Sequence, residues 1–211
     1  MDIWEANSRS NSIAPHPCST ESIFTCTGDE CLQPGPAGVC DKWGCSDNPY
    51  KNRNDKTLYG PGLKVDTTKP FTVVTQFPAE DGILKAIVRK YVQNGIVVEN
   101  TQVNVTMTEA FCDAQGSGTE SFNRLGGLPA MGGALTRGSV LALSVWWDEG
   151  GNMTWLDSGE SGPCLVGEGN PEYIKTVEPR PTVTFSKIKW GEIGSTFAPA
   201  KNSSSCYKWK A

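Results

Sequence analysis

Hydrophobic residues in this chain come in short runs separated by Gly, Pro, Asn and Asp, and most runs carry the two-residue period of strands. Pro70-Phe71-Thr72-Val73-Val74-Thr75-Gln76-Phe77 is rich in β-branched and aromatic residues and predicts a strand. Lys85 to Tyr91 and Ile96 to Glu99 flank Gln93-Asn94-Gly95, and Asn-Gly between two such runs predicts a tight hairpin. Ser139 to Asp148 alternates: Leu141, Leu143, Val145 and Trp147 fall on one face, and the smaller, more polar set Val140, Ala142, Ser144 and Trp146 on the other. Asn152 to Ser158 and Thr182 to Trp190 predict two further strands. Short helices are expected within Thr106 to Ala114 and Leu128 to Thr136, although glycines weaken the second. Residues 8–50 have no period and predict loop, and no internal repeat is present. Strands joined by Gly/Pro turns, with little helix, indicate an all-β fold, a β-sandwich.

Composition narrows the class. The 211 residues suffice for one domain with a real core. Lys and Arg number 19 against 23 acidic residues, net −4 and without a basic stripe, so nucleic acid is not an expected partner. No apolar run can span a bilayer, so no membrane partner is expected, and no signal peptide is visible at Met1. Eight cysteines and three Asn-X-Ser/Thr triplets, at Asn104, Asn152 and Asn202, nevertheless point to an extracellular, disulfide-bonded glycoprotein whose leader lay upstream. Five of the cysteines lie within residues 8–50, a stretch that needs covalent staples because it buries little apolar surface. Spacing does not fix their pairing, and a zinc site of Cys26, Cys31, Cys40 and Cys45 competes with disulfides, its four-residue gaps at the long end of the zinc range.

The candidate chemistry lies at the start: Met1-Asp2-Ile3-Trp4-Glu5-Ala6-Asn7-Ser8. Paired carboxylates are what acid–base chemistry on an acetal needs, one protonating the leaving oxygen and the other facing a cationic transition state. Two acidic residues three apart also occur in ordinary turns, so this spacing alone decides little. The octet resembles the signature Glu-X-Asp-X-X-Glu-Ala-Asn of the fungal-type cellulases of glycoside hydrolase family 7. His16-Pro17-Cys18, Asn48-Pro49-Tyr50, Tyr59-Gly60-Pro61-Gly62, Val65-Asp66-Thr67-Thr68-Lys69, Val74-Thr75-Gln76-Phe77, Val92-Gln93-Asn94-Gly95, Trp155-Leu156-Asp157-Ser158 and Gly194-Ser195-Thr196 follow in family order. The resemblance runs from Met1 to about Pro199, which makes residues 1–199 part of a catalytic domain and residues 200–211 a linker or tail.

One departure bears on activity. The family's first Glu directly precedes the Met, and here Met1 opens the sequence. The resemblance makes that absent Glu the nucleophile, Asp2 its assisting carboxylate and Glu5 the general acid/base of a retaining enzyme, with no metal and no organic cofactor. The sequence is then expected to be the C-terminal half of a concanavalin-like jelly roll, inactive by itself and short of cover for its inner faces. Strict strand alternation would send Glu5 to the wrong face, and a bulge between Asp2 and Glu5 would bring it back.

The resemblance assigns further residues. It sets His16, the sole histidine, beside the carboxylates. It makes Trp146 a sugar platform on the glycone side and Trp155 one near the leaving group. Trp43 and Lys51 fall where processive members tend to have Asp and Arg, which implies a weaker grip on product. Trp4, Trp147 and Trp190 keep the ordinary role of a Trp, core packing. The implied disulfides are Cys18–Cys40, Cys26–Cys31 and Cys45–Cys112. Cys164 would have its partner in the absent half, and Cys206 has none that can be named. Only eight residues separate Cys31 from Cys40, and again Trp155 from Cys164. Both segments are longer in the cellobiohydrolase branch, where loops roof the cleft, so the expected activity is a monomeric endo-β-1,4-glucanase acting on cellulose or other β-1,4-glucan chains. A cellobiohydrolase, or a lectin-like glucan-binding sandwich using Trp146 and Trp155, is the alternative.

Overall fold

The computed structural model describes residues 1–31, 38–98 and 105–197. The chain opens with a hairpin of β1 (Asp2–Ala6) and β2 (Asn11–Ala14). A long irregular stretch leads to α1 (Pro49–Asn52), where Asn48 caps the first turn by accepting from the Tyr50 and Lys51 amides. β3 (Tyr59–Gly60) pairs parallel with β4 (Val65–Asp66). Next come β5 (Thr72–Gln76), the small ladder of β6 (Ala79–Glu80) with β7 (Ile83–Leu84), β8 (Ile87–Gln93), β9 (Ile96–Val98) and β10 (Val105–Met107). β8 is the central strand: β5 runs antiparallel along one edge, while β10 and β9 share the other. The β8–β9 turn is the expected one, with Asn94 at φ 54° and Gly95 at φ 77°, both in the left-handed region that a tight hairpin requires.

The helices are short: α2 (Glu109–Asp113), α3 (Glu120–Arg124), α4 (Gly127–Arg137), α5 (Thr154–Asp157) and α6 (Pro171–Val177). Thr108 divides the stretch expected to be helical from 106 onward. It ends β10, and its hydroxyl accepts from the Phe111 amide to start α2. α4 lies against β7 at Gly132, where an added Cβ would come within 2.6 Å of Leu84 Cβ. Two apolar clusters form the core. Ile13, Leu84, Ile87, Met107, Phe122, Leu128 and Met131 surround the Cys45–Cys112 disulfide, and Leu58, Tyr59, Val65 and Tyr91 pack with Trp4 and Phe71.

The three implied disulfides are all present. The sulfurs of Cys26, Cys31, Cys40 and Cys45 are therefore not thiolate ligands, and the zinc reading falls. Cys164 is the free cysteine among the described residues, and Cys206 lies outside them, as do residues 200–211. Among the described residues no helix is long and apolar enough to cross a membrane.

Three expected strands did not form. Residues 139–148 and 182–190 carry strand-like sequence but pair with no described residue, and a strand exists only where a neighbour takes its amides and carbonyls. Asn152 to Ser158 instead turns through left-handed Asn152 and Met153 into α5. Core packing fails for two tryptophans: Trp190 is 90% exposed, and Trp147 lies at the surface under the Lys175 ammonium.

The Cys45–Cys112 bridge ties the irregular segment to α2 across 67 residues, within the larger cluster. Replacing both cysteines with serine should cost about 2–4 kcal/mol in denaturant unfolding, and roughly half as much should be lost with the five-residue Cys26–Cys31 loop.

Candidate active site

The site is built on the first hairpin. Asp2 pairs with Ala14 and Glu5 with Ser12, so Ile3 and Trp4 together oppose Ile13 alone. This is a bulge, and it resets the alternation. Asp2 and Glu5, three apart in sequence, stand opposite residues two apart and so share a face. Trp4 goes to the other face, where it meets Tyr59, Phe71 and Tyr91 edge-on at 5.8–6.1 Å. The Ile3 carbonyl accepts from the Arg89 guanidinium of β8.

His16 follows β2 between two buried prolines, Pro15 and Pro17. Its Nε2 lies 2.6 Å from Asp2 Oδ2, and its Nδ1 lies 3.2 Å from the Asp41 carbonyl oxygen. Asp41 is itself fixed, its Oδ1 accepting from the Trp43 amide and the Ser121 hydroxyl. Gly44 leaves room for the ring: it sits at φ 72°, and a Cβ there would come within 2.8 Å of His16 Cε1. His16 also lines an open groove of about 420 Å³ whose walls include Glu21, Met131 and Arg137.

The two carboxyls are driven apart electrostatically. The hydrogen bond from His16 holds Asp2 below the usual carboxylate range, against the opposing effect of burial. Glu5 is pushed up to about 7, first by burial and then by the negative charge on Asp2. One group is thus kept ionised and the other kept protonated over mildly acidic pH.

A polar lattice docks a second segment onto the hairpin. Asn7 Nδ2 donates to buried Asp157 at 2.6 Å, and Ser10 Oγ donates to the Ser161 carbonyl at 2.9 Å. Buried Asn48 donates to the carbonyls of Leu156 at 3.0 Å and Ser161 at 2.8 Å. The segment held this way carries Trp155, whose ring stacks on Trp146 at 6.1 Å and 19°, both about half exposed. The two rings, expected on the glycone side and near the leaving group, lie together. Trp43 is exposed under Lys42, two residues from the Asp41 that bonds His16, and Lys51 is exposed on α1. Of the sequons, Asn152 is half-buried at φ 52°, and Asn104 and Asn202 lie outside the described residues.

Arg89, Asp41 and Gly44 were not singled out from the sequence. Arg89 alone left a signal, a charge in the same alternating row as Ile87 and Tyr91.

Two carboxyls on one face, one held ionised and one held protonated, are a pair that acid–base chemistry on a glycosidic bond can use. The chain belongs to glycosyl hydrolase family 7, whose sequence profile matches residues 1–197. It is 51% identical over 207 residues to the endo-beta-1,4-glucanase celB of Aspergillus oryzae, covering 93% of this chain and 48% of that protein. The native endocellulase EGI of Humicola insolens superposes with a TM-score of 0.86 at 50% identity, over 93% of this chain and 50% of that one. An endoglucanase I complexed with cellobiose superposes at 0.77 with 46% identity, over 84% and 46%. These cellulases are β-sandwiches, and this chain spans about half their length.

A Glu whose pKa rises from 4.5 to about 7 on folding binds more protons in the native state than in the unfolded chain between those values. Stability should therefore fall as pH rises from about 4.5 to 7, and Glu5→Gln should flatten that slope in thermal melts. Gly44→Ala should displace the His16 ring, visible as a shift of the sole histidine's ring resonances and a rise of the Asp2 titration toward ordinary values.

Proposed function

We propose that these residues are the C-terminal half of the catalytic domain of a secreted, monomeric endo-β-1,4-glucanase that cleaves internal bonds of cellulose with retention. The reading rests on one observation above the rest: Asp2, Glu5 and His16 converge on one face of a bulged strand with the two carboxyls held in opposite protonation states. Protonated Glu5 donates its proton to the glycosidic oxygen as the bond from the anomeric carbon breaks. The nucleophile is the Glu that the family pattern places directly before Met1, and its carboxylate takes the anomeric carbon as a glycosyl ester. Glu5, now ionised, removes a proton from water as the water oxygen displaces that ester, and the nucleophile leaves as carboxylate. Asp2, pinned by His16, keeps negative charge beside the nucleophile. No metal or organic cofactor enters these steps.

Endo cleavage is supported by the segment after Trp155. It folds back at once, with the Cys164 amide donating to the Asp157 carbonyl at 2.9 Å, and Trp155 stays exposed. A wall this low leaves a groove that can take a chain in its middle, which favours this reading over a cellobiohydrolase. The apolar residues left open along 139–148 and 182–190 take their cover from the other half of the jelly roll.

The 211 residues alone should give no turnover of an aryl cellobioside, while the domain completed with the upstream half and its Glu should hydrolyse cello-oligosaccharides and soluble cellulose. In the completed domain, Glu5→Gln should lower kcat on unactivated cello-oligosaccharides by about 10²–10⁴-fold and spare the first step on substrates with good aryl leaving groups. Full activity of the Gln variant on cellulose would remove Glu5 from the role. The exposed Trp146–Trp155 stack also supports glucan binding by the isolated chain. Calorimetry with cellohexaose should register binding that is lost in Trp155→Ala.

A further inference from the structure

β8 carries one buried row: Ile87, Arg89, Tyr91 and Gln93. Each polar member reaches outward to a specific group. Tyr91 donates to Asn11 Oδ1 at 2.7 Å, and Gln93 accepts from the Asp66 amide at 2.9 Å. Arg89, 3% exposed, lies with its guanidinium carbon 5.0 Å from the Trp4 ring and donates to the Ile3 carbonyl. Ile3 is one of the two residues that oppose Ile13 in the bulge.

A buried cation is costly unless something nearby needs it. No carboxylate among the described residues forms an ion pair with Arg89. The nearby acid, Asp47, is bound in two-point fashion by Arg53 at 2.8 and 3.2 Å. What Arg89 does serve is the carbonyl of Ile3, a residue inside the bulge of β1. A carbonyl shielded from water needs a donor, and without Arg89 nothing on β8 would hold Ile3 in the bulged position. Straightening by one residue would turn Glu5 off the face it shares with Asp2.

We propose that Arg89 is the positioning residue of the acid/base carboxyl: by bonding the Ile3 carbonyl and stacking on Trp4, it holds the bulge that turns Glu5 toward Asp2. This rests on the role proposed for Glu5. The established pair Asp2–His16 is reached from β2, so Arg89 controls Glu5 without touching it.

The test uses the 211-residue chain and no hydrolysis. The side-chain carboxyl of Glu5 is titrated by carbon NMR in the parent chain, in Arg89→Lys, which keeps a donor, and in Arg89→Met, which keeps bulk and loses it. Arg89→Met should lower the Glu5 midpoint by about one pH unit or more toward 4.5, and Arg89→Lys should restore most of the shift. A Met variant that melts earlier yet titrates Glu5 as the parent does would reduce Arg89 to a structural role and overturn the proposal. Should Arg89→Met fail to fold, the parent decides. Slowly exchanging Arg89 Nη protons with a scalar coupling across to the Ile3 carbonyl carbon support the proposal, and their absence overturns it. Failure of the glucanase reading would show separately, as a completed domain without turnover.

Discussion

Two residues set against one is the constraint on which the active face depends. A regular β1 would alternate Asp2 and Glu5 to opposite sides, one toward His16 and one into the aromatic cluster. The bulge at Ile3-Trp4 meets three demands together. It puts both carboxyls on one face, sends the Trp4 ring into the core among Tyr59, Phe71 and Tyr91, and aims the Ile3 carbonyl at β8. The shared carboxyl face and the second core cluster are therefore one feature, because the displacement that brings Glu5 beside Asp2 also packs the indole against that cluster.

The charge pattern follows from where that hairpin lies. Its active face is only half-buried, deep enough for desolvation to raise Glu5 and shallow enough for Asp2 to stay ionised against His16. Burial alone would have raised both. The asymmetry comes from a single imidazole that is within bonding distance of Asp2 and is oriented from behind by Asp41 and by the space at Gly44. Through Asp41 the orientation of His16 is linked to Trp43 and, by Ser121, to α3.

How much of this could be read in the sequence depends on the range of the interaction. The Asn94-Gly95 hairpin and α4 were legible because turn chemistry and local composition decide them. The approach of His16 to Asp2 and the three disulfides were legible through resemblance, and the need for a bulge followed from counting residues along a strand. Residues 139–148 and 182–190 misled because alternation reports the propensity to be a strand, while a ladder also needs a neighbour. Trp147 and Trp190 were assigned to a core that these described segments do not enclose. Arg89 was overlooked because its value lies in a carbonyl 86 residues away, a relation no local pattern encodes.

The stacked Trp146 and Trp155 are positioned by the same long-range logic. Asn48 caps α1 with its side-chain oxygen and, with its amide nitrogen, holds the carbonyls of Leu156 and Ser161. One buried side chain thus fixes the helix bearing Lys51 and the turn bearing Trp155. Asn7, at the end of the strand that carries Glu5, reaches the same turn through Asp157. The Trp146–Trp155 pair is therefore tied to the strand that carries Glu5 by hydrogen bonds to backbone and carboxylate. Such a junction suits an open groove. In the open groove proposed for the whole domain no roof presses a glucan chain into place, so the distance between Trp155 and Glu5 rests on Asn7 and Asn48.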